Sequence, residues 1–120
     1  MRENILKALD ETKLVAIIRG MDPEICVRLA EAYVAGGIRL VEVTFDQTGA
    51  PAKTVAAIRA IKEKFAGRLH VGTGTVLTEA QLKSVIDAGG EFMVTPSVNP
   101  ALIRMCVAAE AKRFIANCAL

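Results

Sequence analysis

Tryptophan is absent, and one Tyr with four Phe makes up all the aromatics. So few flat rings leave little to stack on bases. The fifteen Lys and Arg are scattered among thirteen Asp and Glu, giving a net charge of only +2, so no basic stripe tracks a phosphate backbone and nucleic acid is excluded as a partner. Histidine occurs once, at His70, and there is no Cys-x-x-Cys, so no Zn site is expected. Cys26, Cys106 and Cys118 are odd in number and sit among apolar residues, which favours buried thiols over a disulfide framework. No apolar run approaches the ~18 residues of a membrane span. Met1-Arg2-Glu3-Asn4 is not followed by a secretory apolar segment, so a cytoplasmic protein without membrane contact is expected.

What is present is a core. Hydrophobic residues make up 52% of the 120, enough for a single domain over residues 1–120 and no more than one. Within Leu40-Val41-Glu42-Val43-Thr44-Phe45, which otherwise reads as a buried strand, Glu42 is out of place. Strand side chains alternate between faces. Val41, Val43 and Phe45 therefore share an apolar face, while Leu40, Glu42 and Thr44 share one that turns polar along the chain. Burying an ionised carboxylate without partners costs several kcal/mol or forces it to take up a proton. A carboxylate so poised suits general acid–base chemistry, and a salt-bridged structural Glu fits the position equally well.

The chain repeats one pattern. A leader helix precedes Leu14, with Ile5, Leu6 and Leu9 on one side and Glu3, Lys7 and Asp10 on the other. Leu14-Val15-Ala16-Ile17-Ile18 suits a strand covered on both faces, ended by Arg19-Gly20. Asp22-Pro23-Glu24 predicts a helix start with Asp22 as its cap, and Gly36-Gly37 its stop. A strand over Leu40–Phe45 then leads to a helix over Pro51–Phe65, and a strand over Leu69–Gly72 to one capped by Thr78 and Gln81 and stopped at Gly89-Gly90. A strand over Phe92–Thr95 leads to a helix from Asn99-Pro100 to about Ala111, with Arg113-Phe114-Ile115-Ala116 opening a fifth strand. Such βα units of roughly 25 residues imply a parallel α/β sheet with right-handed crossovers. Length favours a doubly wound five-stranded sheet, since a complete (β/α)8 barrel takes about 200 to 250 residues. Chemistry favours the barrel, because Arg19, Glu42, Thr73 and Thr95 fall at or near the carboxyl ends of successive strands.

Two site types fit poorly. A phosphoacceptor receiver needs acids after its first strand and an Asp ending its third, and Arg19-Gly20 and Gly72-Thr73-Gly74 stand there. A dinucleotide fingerprint needs a third Gly where Leu77 lies. The glycines permit close backbone approach to a carboxylate or phosphate, or simply a tight turn.

Val15-Ala16-Ile17-Ile18-Arg19-Gly20, Gly36 through Thr44, Val71-Gly72-Thr73-Gly74-Thr75-Val76-Leu77-Thr78, and Ala88 through Pro96 occur in an order that resembles the 2-keto-3-deoxy-6-phosphogluconate (KDPG) and 4-hydroxy-2-oxoglutarate (KHG) aldolases. The resemblance runs from Leu14 to about Met105. It implies the first half of a TIM (β/α)8 barrel and a class I aldolase, a carbon–carbon lyase that cleaves a 2-keto-4-hydroxy acid to pyruvate and an aldehyde through a Lys Schiff base. On it, Glu42 is the catalytic proton shuttle. Gly72, Thr73 and Gly74 hold the pyruvate carboxylate, Arg19 supports that end of the pocket and Pro96 forms its wall. It further implies a keto-acid substrate (pyruvate, KDPG or KHG), no cofactor or metal, and a trimer or a complementing C-terminal half as partner.

Two departures stand out. Asp46 occupies a position where many relatives carry a carboxylate-binding Arg, which throws that task onto Arg19 and Thr73. The family's Schiff-base Lys lies in a Lys-x-Phe-Pro motif on a sixth strand, whereas this chain reaches only a fifth. Lys7 and Lys13 precede the first strand, Lys53, Lys62, Lys64 and Lys83 fall on helices, and Lys112 lies before the fifth strand on the side away from the site. All seven read as solvated surface, so the chain by itself is expected to be inactive. The non-enzymatic reading is a half-barrel binding or assembly module, which would associate through open sheet edges.

Overall fold

A computed structural model describes residues 2–109 and 115–118. Its elements are α1 (Arg2–Thr12), β1 (Ala16–Arg19), α2 (Pro23–Ala35), β2 (Leu40–Thr44), α3 (Pro51–Phe65), β3 (His70–Gly74), α4 (Glu79–Asp87), β4 (Phe92–Thr95), α5 (Pro100–Ala109) and β5 (Ile115–Cys118). All strand pairs are parallel, and the sheet order is β1-β2-β3-β4-β5. A doubly wound sheet reverses its strand order at a switch point. None occurs here, so the five strands form the opening arc of a (β/α) barrel.

The alternation read along β2 sets the layers. Val41, Val43 and Phe45 meet Ile18, Val71 and Met93 under the helices, packed on Ala30, Ile58, Ile61, Leu82 and Leu102, all under 4% exposed. Cys26 and Cys106 are buried thiols in that core, and desolvation pushes the Cys26 thiol up. Cys118 has its side chain outside the described residues. Leu40, Glu42 and Thr44 look to the other, inner face. There α1 covers the amino-terminal end of the sheet, where Ile5 and Ala8 pack on Leu40 and Phe92.

Several expectations need correction. The buried stripe of α1 is Ile5 and Ala8, while Leu6 and Leu9 are exposed, because the helix meets the sheet along a narrow line rather than a broad face. β1 is covered on one face only: Ile17, on the inner side beside Glu42, is 64% exposed. An edge strand of an open arc has no opposite wall. Asp22 stands at the α2 cap position but makes no side-chain cap bond, since its carboxylate pairs with Lys53 at 3.0 Å. β3 runs two residues further than expected, to Gly74, held by pairing of Thr73 and Gly74 with Met93 and Val94. The predicted Thr78–Gln81 capping box and the Asn99 cap, whose Oδ1 accepts from Ala101 at 3.0 Å, both form. The proposed helix end at Ala111 and the fifth-strand start at Arg113-Phe114 lie outside the described residues.

Candidate active site

At the carboxyl end of the inner face a pocket of about 210 Å³ is lined by Glu42, Thr75, Val94, Thr95 and Pro96. Glu42 is 7% exposed, and among the described residues its one hydrogen bond comes from the Thr44 hydroxyl at 2.8 Å. Register places it beside Ile17 on β1 and Gly72 on β3. The Thr95 hydroxyl donates to the Ser97 carbonyl at 2.6 Å, fixing the turn that carries Pro96 to the rim.

The glycines of β3 have protein neighbours. A Cβ on Gly72 would stand 2.4 Å from the Phe92 ring, and one on Gly74 would stand 1.6 Å from Glu42 Oε1. Both contacts are far inside van der Waals range. Gly72 makes room for Phe92, and Gly74 lets the Glu42 carboxylate lie across the strand.

Thr73 does not reach the pocket. It shares the helix-facing side with Val43 and Met93, is fully buried, and donates its hydroxyl to the Val43 carbonyl at 3.0 Å. The threonine at the site is the next one. Thr75 has φ +54, a left-handed conformation that is an outlier for a β-branched residue and costs about 1–3 kcal/mol. That reversal breaks the strand alternation just past β3 and turns Thr75 toward Glu42 instead of following Thr73. Arg19 then donates from Nη2 to Thr75 Oγ1 at 3.1 Å across the mouth. A period-two reading could not find Thr75; the signal lay in its following Gly74 at the strand end.

Asp46 closes the loop after β2 on itself. Its Oδ1 accepts from the Thr48 amide at 3.0 Å and hydroxyl at 2.8 Å. Those bonds, with the Arg19 and Lys53 charges behind them, hold its carboxyl below the ordinary range.

No described lysine enters the pocket. Lys7 pairs with Glu11, Lys13 with Asp10, Lys53 with Asp22, Lys64 with Glu31 and Lys83 with Asp87. Lys62, expected to be solvated, instead reaches the buried Glu91 at 2.9 Å. Its stem passes over Gly89. Lys112 lies outside the described residues. No group of His, Cys, Asp and Glu among the described residues has the arrangement of a metal site, and no described helix is long and apolar enough to cross a membrane.

The family model for KDPG and KHG aldolase matches residues 5–115. The chain belongs to that family. Among curated aldolases, it is 38% identical to a 2-dehydro-3-deoxy-phosphogluconate aldolase of Treponema pallidum over 86% of this chain and 47% of that protein. It is 41% identical to the KHG/KDPG aldolase of Escherichia coli K12 over 68% of this chain and 36% of the relative. Of the solved aldolases, the Zymomonas mobilis ZM4 KDPG aldolase with 3-phosphoglycerate superposes with a TM-score of 0.75 at 29% identity, over 97% of this chain and 52% of that one. A Legionella pneumophila KDPG aldolase, which holds pyruvate as a covalent carbinolamine, superposes at 0.71 with 27% identity over 88% of this chain and 48% of that one. This aldolase-family chain thus spans about half the length, or less, of the curated relatives it matches.

Proposed function

We propose that these residues form the acid–base and carboxylate-binding half of a class I aldolase site acting on a 2-keto-4-hydroxy acid such as KDPG or KHG. The observation that carries the reading is Glu42: a carboxylate 7% exposed, without a cationic partner among the described residues, open to a pocket at the carboxyl end of a barrel strand. Barrel enzymes assemble their sites at that end. A carboxylate with so few partners is built to exchange a proton rather than to hold structure.

The chemistry follows from the residue types. An amine attacks the keto carbon, and the hydroxyl so formed leaves as water; the 4-hydroxyl then gives up its proton, the C3–C4 bond breaks with its electron pair moving to the iminium, and the aldehyde departs. The enamine is protonated and hydrolysed to pyruvate. Glu42 carries the protons of the carbinolamine steps. Arg19 and Thr75, joined across the mouth, receive the substrate carboxylate, the role expected of Arg19 and Thr73. Pro96 walls the pocket; Gly72 and Gly74 act by making room for Phe92 and Glu42. The Schiff-base Lys is assigned to a complementing C-terminal half, which would also cover the inner face where Ile17 is bare.

Borohydride reduction with pyruvate, followed by intact mass, tests this. We expect no adduct on this polypeptide alone. With a C-terminal aldolase half supplied, an adduct should form on that half and turnover should appear. An adduct on this chain would overturn the assignment. The exposed Leu14 and Ile17 on the open edge favour the second reading, an assembly module pairing through that edge. Pyruvate titration separates the two, because an assembly module is indifferent to Glu42→Gln and Thr75→Ala.

A further inference from the structure

The two oxygens of Glu42 have different surroundings. Oε1 accepts from Thr44 Oγ1 at 2.8 Å, and Thr44 is 2% exposed. The same oxygen occupies the space that a Cβ on Gly74 would fill, and that Cβ would also stand 2.8 Å from Thr44 Oγ1. Oε1, the Thr44 hydroxyl and the bare α-carbon of Gly74 therefore make a closed socket within the sheet. Oε2 accepts no hydrogen bond from a described residue. No fully buried side-chain oxygen among the described residues lacks a partner, so Oε2 is open to the pocket.

We infer that Thr44 is a positioning residue for the acid–base step, anchoring Oε1 in the Gly74 socket so that Oε2 is the oxygen that exchanges the proton. The inference rests on the reading of Glu42 as proton shuttle. Thr44 is not part of the pocket wall and acts through Glu42. In the dehydration step, the proton on Oε2 passes to the carbinolamine hydroxyl. The C–O bond breaks, water leaves, and the nitrogen lone pair closes the C=N bond. The Glu42 carboxylate left behind keeps its bond from Thr44, now charge-assisted and stronger. A long side chain with several rotatable bonds otherwise spreads over rotamers, and misplacement by about 1 Å costs on the order of 100-fold in rate.

Thr44→Val keeps the shape and removes the donor, and Thr44→Ser restores the donor. On this chain, three-bond couplings of Glu42 should show one rotamer in the wild type and the Ser variant and averaging in the Val variant. In the complex with a C-terminal aldolase half, Thr44→Val should lower kcat by about 10- to 100-fold with KM nearly unchanged, and Thr44→Ser should recover most of it. A Val variant with a single Glu42 rotamer and wild-type kcat overturns the inference. A Val variant that loses kcat while Glu42 keeps its single rotamer also overturns it, because Thr44 would then act otherwise than by anchoring. A wild-type complex that never turns over counts against the aldolase reading and with it against Thr44's part in proton exchange, while the couplings still decide whether Thr44 is the anchor.

Discussion

Glu42 and Glu91 are both nearly buried, at 7% and 6% exposure, yet they are furnished in opposite ways. Glu91, at the amino-terminal end of the sheet, meets Lys62 at 2.9 Å, His70 at 3.4 Å and the Val71 amide at 3.0 Å. Glu42, near the carboxyl-terminal end, has one hydroxyl among the described residues. Desolvation pushes the Glu91 carboxyl up, but the bonds and charges of His70 and Lys62 outweigh it and hold the group below its ordinary range. One end of the arc spends its buried carboxylate on tying α3, β3 and the β4 approach together. The other leaves its carboxylate, among the described residues, with a single hydroxyl partner, which suits the proton exchange proposed for it.

The largest effect that sharpens this contrast is Glu91→Ala. It strands the Lys62 ammonium and the Val71 amide, and should cost about 3 kcal/mol, read as a lower urea midpoint. Gly72→Ala comes next, at about 2 kcal/mol, because its new methyl meets the Phe92 ring at the α1-covered end. An unchanged midpoint there would mean that Phe92 moves aside easily.

The pH dependence follows from Glu91. Its folded pKa lies below the unfolded value of about 4.3, so its stabilisation is fully present above that value and is lost as pH falls through the folded pKa. Acid titration of stability should therefore be flatter below about pH 4.5 in Glu91→Gln than in the wild type. The smallest effect belongs to Glu42→Gln, within about 1 kcal/mol of wild type and of either sign. A loss as large as that for Glu91→Ala would erase the difference between the two ends.

Much of this was legible in the chain. The helix over Pro51–Phe65 is where Pro51 and Gly67 placed it, and the Thr78–Gln81 box formed as spaced, because caps and breakers act through local backbone geometry. The two faces of β2 also followed from alternation. Other features depended on tertiary contact. Asp22 left its cap for Lys53, a residue of another helix. Thr73 and Thr75 could be told apart only by the left-handed backbone at Thr75. Lys62 looked like any surface lysine until α3 brought it over Glu91. The family, carried by motifs in order, was readable where the threonine that lines the pocket was not.

The consecutive strand order has a consequence for synthesis. Each strand pairs with the strand that precedes it in the chain, so the sheet can lengthen by one unit at a time as the polypeptide leaves the ribosome, without waiting for a distant segment to return. Only the final closure of a barrel would join remote parts of the sequence. The growing edge thus remains the last and slowest surface to be satisfied, and is where a folding helper or a pairing partner would be needed first.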